Sequence, residues 1–158
     1  RVLLGGMALL CLLGLVDDRW NLSPRWRIVL QALVAGAVCA ATETWLRSMG
    51  SLWPGVSDLQ TGWFALPFTV FCVVGVINAF NLVDGMDGLS SGLFLVVAGL
   101  LVAFAAPGPF QLPLAGAIAA LGAFAFWNWP MRWRIRRVFL GDAGTLPLGL
   151  LLGIVLVD

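Results

Sequence analysis

Six uncharged, predominantly apolar runs divide the chain, at residues 2–16, 28–42, 63–77, 89–106, 110–127 and 145–157. A helix needs about 20 such residues to cross the hydrocarbon layer, so the pattern predicts a bundle of about six transmembrane helices. Between the runs lie the polar stretch Arg19 to Arg27, a loop rich in Gly, Ser and Trp from Glu43 to Gly62, the motif with Gly85 and Gly88, a tight Pro107-Gly108-Pro109 turn, and Gly141-Asp142-Ala143-Gly144. The first run falls short of a full span, and the chain opens on Arg1 with no initiator Met. Both features lead us to expect an internal fragment of a longer protein.

Composition supports the membrane reading. Hydrophobic residues make up 61% and charged residues 11%, with a mean hydropathy of +0.99. A soluble domain carries about 25% charged residues. The expected fold is all-α, a polytopic helical membrane bundle forming a single integral membrane domain over residues 1–158. All eight Trp residues (20, 26, 45, 53, 63, 127, 129, 133) lie at run ends or between runs, as an interfacial aromatic belt requires. Cys11, Cys39 and Cys72 each sit inside an apolar run and read as small hydrophobes, not as a disulfide framework or metal cluster.

Net charge is only +1, but its distribution is informative. Alternation of six spans brings the stretches 17–27, 78–88 and 128–144 to one face. They hold seven of the nine arginines: Arg19, Arg25, Arg27, Arg132, Arg134, Arg136 and Arg137. The positive-inside rule makes that face cytoplasmic. The same face collects Asp17, Asp18, Asp84, Asp87 and Asp142, five of the eight acids.

The densest polar stretch is Asn78-Ala79-Phe80-Asn81-Leu82-Val83-Asp84-Gly85-Met86-Asp87-Gly88. Asn78, Asn81, Asp84 and Asp87 recur every third residue, so a helical backbone projects them along one side. With no His in the chain, acidic and amide oxygens favour Mg²⁺ or Mn²⁺ over zinc. Arginines on the same face suit phosphate oxygens. Together these groups point to phosphoryl transfer at the membrane surface, with a lipid as one substrate.

Each feature alone has a plainer reading. Asp17-Asp18 can be solvated flanking sequence, the basic stretch 132–137 a topology signal, and Asp142 a helix N-cap. Only their convergence on one face favours a site. A transporter would bury its ionisable groups near the midplane instead, and a non-catalytic scaffold would not need the acids. A metal-dependent alcohol phosphotransferase would carry a denser acidic motif on one helix.

Three motifs resemble one known family. They are Asp17-Asp18-Arg19 with Leu22, Ser23, Arg25, Arg27 and Gln31; the stretch Asn78 to Gly88; and Val138-Phe139-Leu140-Gly141-Asp142-Ala143-Gly144. Nearly the whole chain is similar to the polyprenyl-phosphate N-acetylhexosamine-1-phosphate transferases of glycosyltransferase family 4. That superfamily also contains the phospho-N-acetylmuramoyl-pentapeptide transferase of peptidoglycan synthesis. Val83, where the muramoyl branch usually has Thr, favours the N-acetylhexosamine branch.

The resemblance implies a bacterial inner (plasma) membrane enzyme whose site faces the cytoplasm. It would transfer a sugar-1-phosphate from a UDP-sugar to undecaprenyl phosphate and release UMP. The product would start a lipid-linked glycan of the cell wall, lipopolysaccharide or O-antigen. By motif position, Asn81 and Asp142 would bind Mg²⁺ (or Mn²⁺) with the diphosphate, and Asp18 would support them. Asp17 would orient or deprotonate the acceptor phosphate. Asp84 and Asp87 would contact the nucleotide, with Asp87 the partner of uracil and a catalytic candidate alongside Asp17 and Asp18. Asn78, Arg25, Arg27 and Asn128 complete the substrate-binding set. Membrane lipid, the lipid acceptor and the UDP-sugar are the implied partners, nucleic acid is not, and a homodimer is compatible. A phosphate monoester, with a second pKa near ~6, is mostly dianionic at neutral pH, which favours direct attack. The family also carries a His-containing loop that has no counterpart in this His-free chain.

Overall fold

The computed structural model describes residues 1–51, 57–84, 88–104, 108–128 and 138–158. Within them the chain forms six α-helices: α1 (Val2–Trp20), α2 (Pro24–Thr42), α3 (Ala65–Val83), α4 (Leu89–Phe104), α5 (Gln111–Asn128) and α6 (Gly141–Val157). A single 3₁₀ turn, Gly62–Phe64, leads into α3. An isolated antiparallel bridge, Ser48 with Gln60, is the only extended pairing among the described residues.

The helices outrun the apolar stretches at the ends that carry the motifs. α1 keeps Asp17, Asp18 and Arg19 in its last turn. It stops at Asn21, whose left-handed backbone (φ 50) turns its N–H back to the Asp17 carbonyl, a standard C-terminal closure. α2 starts immediately after, with extended Ser23 at the N-cap and Pro24 in the first turn. The stretch 17–27, expected between spans, is therefore mostly helical. α3 likewise continues through Asn78 and Asn81 to Val83. Hydropathy locates the edge of the hydrocarbon, whereas turn residues locate the end of the helix. Asp142, for which an N-cap was the plainer reading, lies within the first turn of α6, behind Leu140 at the cap.

α6 is the centre of the bundle. Every residue from Thr145 to Ile154 except Leu148 is buried, as befits a helix apolar on all sides. It runs antiparallel to α1 and α3 and packs most extensively against those two. Along α3 the register advances in steps of four: Asn81 meets Thr145, Ile77 meets Gly149, and Val73 meets Gly153. Gly149 and Gly153 carry no Cβ that would strike the backbone of Ile77 or the side chain of Val73. This is the close small-residue packing expected where no water drives helices together. On α1 the buried face is Leu3, Gly6, Leu10, Gly14 and Asp17, spaced by three or four as one side of a helix. Leu146, Leu150 and Ile154 of α6, Leu10 of α1 and Val73 and Ile77 of α3 belong to the shared core.

The outer surface is strongly apolar, with Leu4, Leu12, Leu33, Phe71, Val96 and Leu112 among many exposed large hydrophobics. Pro24–Thr42, Gly62–Val83 and Gln111–Asn128 are long and apolar enough to cross a membrane, and α4 and α6 are shorter apolar helices. α1 has the length but carries three charges in its last turn. Trp20, Trp26, Trp63 and Trp127, at helix ends, are all well exposed. The chain is an integral membrane protein built as a helical bundle. The cysteines are free, as expected, with Cys39 buried and Cys11 and Cys72 partly so.

Candidate active site at the helix ends

The C-terminal ends of α1 and α3 and the N-terminal ends of α2 and α6 meet at one end of the bundle. Asp17 is only 5% exposed there. Its Oδ1 accepts the Leu22 N–H at 2.8 Å, and its Oδ2 accepts Nη1 of Arg27 at 2.9 Å. The same Arg27 nitrogen donates to Oδ2 of Asp142 at 3.1 Å. One guanidinium nitrogen thus bridges two carboxylates from opposite ends of the chain.

Asn81 closes the other side. Its Nδ2 donates to Oδ1 of Asp142 and, at 2.8 Å, to the Thr145 hydroxyl. That hydroxyl donates in turn to the Gly141 carbonyl at 3.1 Å.

Asp18 and Asp84 hold the start of α6. Asp18 accepts the N–H groups of Asp142 (3.3 Å) and Ala143 (3.4 Å). Asp84 accepts the Gly141 N–H at 3.0 Å and the Ser90 hydroxyl at 2.6 Å. A carboxylate at the first turn satisfies orphan N–H groups and meets the positive end of the helix dipole. The capping role weighed for Asp142 on α6 is thus performed from the ends of α1 and α3. Gly141 has φ +67 and faces the Asp18 carboxylate, a position that a side chain would strain.

Asp17 and Asp142 lie just beyond the apolar runs 2–16 and 145–157 and titrate as one unit. Burial acts to raise the pKa of Asp17. It is overridden by hydrogen bonds from Arg27, from Asp142 and from the Leu22 N–H, which bring the carboxyl below its ordinary 3.8. Burial likewise raises Asp142, and the neighbouring Asp17 adds to the rise, so Asp142 stays above 3.8 despite Asn81 and Arg27. Of the pair, Asp142 holds the proton more readily.

Not every expected residue joins this cluster. Asn78, one turn deeper, donates to Oε1 of Gln31 (2.7 Å) and to the Val74 carbonyl (2.8 Å). Arg25 is exposed and lines an open hollow of about 610 Å³ with Ser23, Pro24, Trp26 and Val29. Asn128 grips both backbone groups of Val138, donating to its carbonyl (2.7 Å) and accepting its N–H (3.2 Å). It therefore ties the end of α5 to the approach to α6. Asp87, Trp53, Trp129, Trp133 and the arginines at 132, 134, 136 and 137 lie outside the described residues.

Sequence reasoning missed Thr145 and Ser90 as partners of the motif residues, and it placed Gln31 in the first motif without giving it a partner. Gln31 had a signal, since it is the one polar side chain between Arg27 and Thr42. Thr145 had a weaker one, three residues after Asp142.

The oxygens that converge are those of Asp142, Asp17 and the Thr145 hydroxyl, with the Asn81 amide turning its nitrogen toward them and no imidazole in the chain. That chemistry fits a hard divalent cation sharing its shell with phosphate oxygens. Among the described residues no three His, Cys, Asp or Glu side chains form a self-sufficient metal cage, and a substrate-completed Mg²⁺ site does not require one.

An integral membrane bundle with an arginine-bridged carboxylate pair, amides and hydroxyls gathered at its helix ends is equipped to handle phosphate at the bilayer surface. The chain belongs to glycosyl transferase family 4, which it matches over residues 1–158. It is 36% identical over 152 residues to the undecaprenyl-phosphate alpha-N-acetylglucosaminyl 1-phosphate transferase of Yersinia pestis. That similarity covers 94% of this chain and 41% of the relative. It is 33% identical to the protein of the same name from Escherichia coli K12, covering 89% of this chain and 39% of the relative. The chain thus spans about two fifths of the length of these relatives.

Proposed function

We propose that the protein containing this chain transfers N-acetylglucosamine-1-phosphate, or a closely related N-acetylhexosamine-1-phosphate, from its UDP-sugar to undecaprenyl phosphate. An oxygen of the lipid phosphate attacks the β-phosphorus of the donor. The bond from that phosphorus to the bridging oxygen breaks, and UMP leaves with that oxygen. The names of the relatives support the lipid and the sugar.

The observation that carries the reading is the joining of Asp17, Arg27, Asn81 and Asp142 into one polar cluster at the ends of membrane helices. Arg27, with Arg25 at the surface of the same helix start, binds the lipid phosphate as it approaches from the bilayer. Asp17 orients Arg27 toward that phosphate. Asp18 and Asp84 hold the first turn of α6, and with it Asp142, against the diphosphate. A divalent cation, Mg²⁺ by the donor chemistry, would be held by Asp142 and Asn81 and would neutralise diphosphate charge when bound. Asp87 remains the proposed nucleotide contact from the same motif. The arginine bias supports a cytoplasm-facing site in the inner membrane.

The test uses the full-length protein in membranes with undecaprenyl phosphate and a panel of UDP-sugars, with and without Mg²⁺, following UMP. Metal-dependent UMP release with one donor is expected, falling roughly a hundredfold in Asp142→Asn. Folded protein that releases no UMP with any donor would overturn the proposal.

A further inference from the structure

Gln31 is completely buried inside α2, yet its Nε2 has no hydrogen-bond partner. A buried donor left unmade is costly, and an apolar residue of similar size would avoid that cost in a lipid-facing bundle. Gln31 and Arg27 are four residues apart and share one face of α2. Asn78 and Asn81 are three apart and share one face of α3.

The two faces meet twice. At the membrane boundary Arg27 and Asn81 bond the two oxygens of one carboxylate, Asp142. One turn deeper, about 5–6 Å along the helices, Asn78 donates to Gln31. That deeper contact is the one hydrogen bond between the α2 and α3 side chains described. An amide pair has a single well-aligned register, whereas the apolar contacts around it, such as Gly36 against Val70, tolerate sliding.

We infer that Gln31 is a positioning residue: its amide, clasped by Asn78, fixes the register of α2 against α3 so that Arg27 and Asn81 grip Asp142 together. The inference rests on the transferase reading and adds to it a residue that touches no reacting group. The orphan Nε2 is then the cost of keeping an amide, whose acceptor oxygen is needed, at a site where an apolar side chain would pack more favourably.

The discriminating prediction is a divergence between stability and activity. Gln31→Met removes the orphan donor and leaves Asn78 bonded to the Val74 carbonyl, so the thermal midpoint of the full-length protein in detergent is expected to hold or rise. The kcat for UMP release is expected to fall about tenfold, with the KM for undecaprenyl phosphate changing less. The exchanged pair Gln31→Asn with Asn78→Gln, which restores an amide facing an amide, is expected to recover most of the kcat.

A Gln31→Met protein with full kcat, or one whose loss of activity follows a fallen midpoint and is not recovered by the exchanged pair, would overturn the inference alone. A folded wild type that releases no UMP would overturn the transferase reading and this inference with it.

Discussion

Arg27 carries the charge balance of the cluster. Its Nη1 lies between Asp17 and Asp142, so removing it leaves two partly buried carboxylates facing each other without a cation. Arg27→Gln is expected to destabilise the protein by about 1.5–3 kcal/mol, the range for hydrogen bonds to charged groups. Adding Asp17→Asn should recover part of that loss, because it removes the repulsion. Thermal midpoints of the single and double variants check this, and equal midpoints for wild type and Arg27→Gln would mean that the bridge has no net worth. At this scale the sequence offered candidate residues but not the partner of each. Asp17, Asn81, Asp84 and Asp142 are all in the gathered region, yet Asp18 turns out to cap a helix more than 120 residues later in the chain. A side chain's identity limits what it can bond, but its partner depends on what the fold brings beside it.

Among elements, α6 is decisive because its first turn carries Asp142 and the rest of it forms the core. Gly14 of α1 packs against that turn, where an added Cβ would run into the backbone of Asp142 and Ala143. Backbone cannot rotate aside as a side chain can, so Gly14→Ala should push α1 and α6 apart. The expected cost is about 1–3 kcal/mol, as for overpacking elsewhere. Gly5→Ala, at a position with open space, should cost far less. Thermal midpoints of the two variants compare them directly, and equal effects would mean that the tight approach at Gly14 is of no consequence. The helices themselves were legible as apolar runs. Their ends were less so, because Asn21, Ser23 and Pro24 set them by backbone geometry independent of the bilayer edge.

For the whole molecule, the arginine bias makes a directional prediction. Arg25 and Arg47 lie on opposite faces of the bundle, separated by α2. In a background lacking Cys11, Cys39 and Cys72, Arg25→Cys should react with an impermeant thiol reagent only in inverted vesicles. Arg47→Cys should react only from the outside of intact spheroplasts. The reverse pattern would place the candidate site on the wrong side for a cytoplasmic nucleotide sugar.

What the sequence by itself determined is the medium, the helix count and the gathering of polar residues at helix ends. Hydropathy and charge are carried by each stretch regardless of its neighbours, and a bilayer sorts helices by those local properties. It also offered candidates for the site, because unpartnered polar side chains are costly in a membrane. Only the tertiary structure decided the pairings: Arg27 with Asp142 across 115 residues, Asn81 with Thr145, Asp18 with the start of α6, and Gln31 with Asn78. Those depend on the register in which antiparallel helices pack, and register arises from small residues such as Gly14, Gly149 and Gly153 meeting particular neighbours. No single stretch of the chain contains that information, because each contact needs two helices at once.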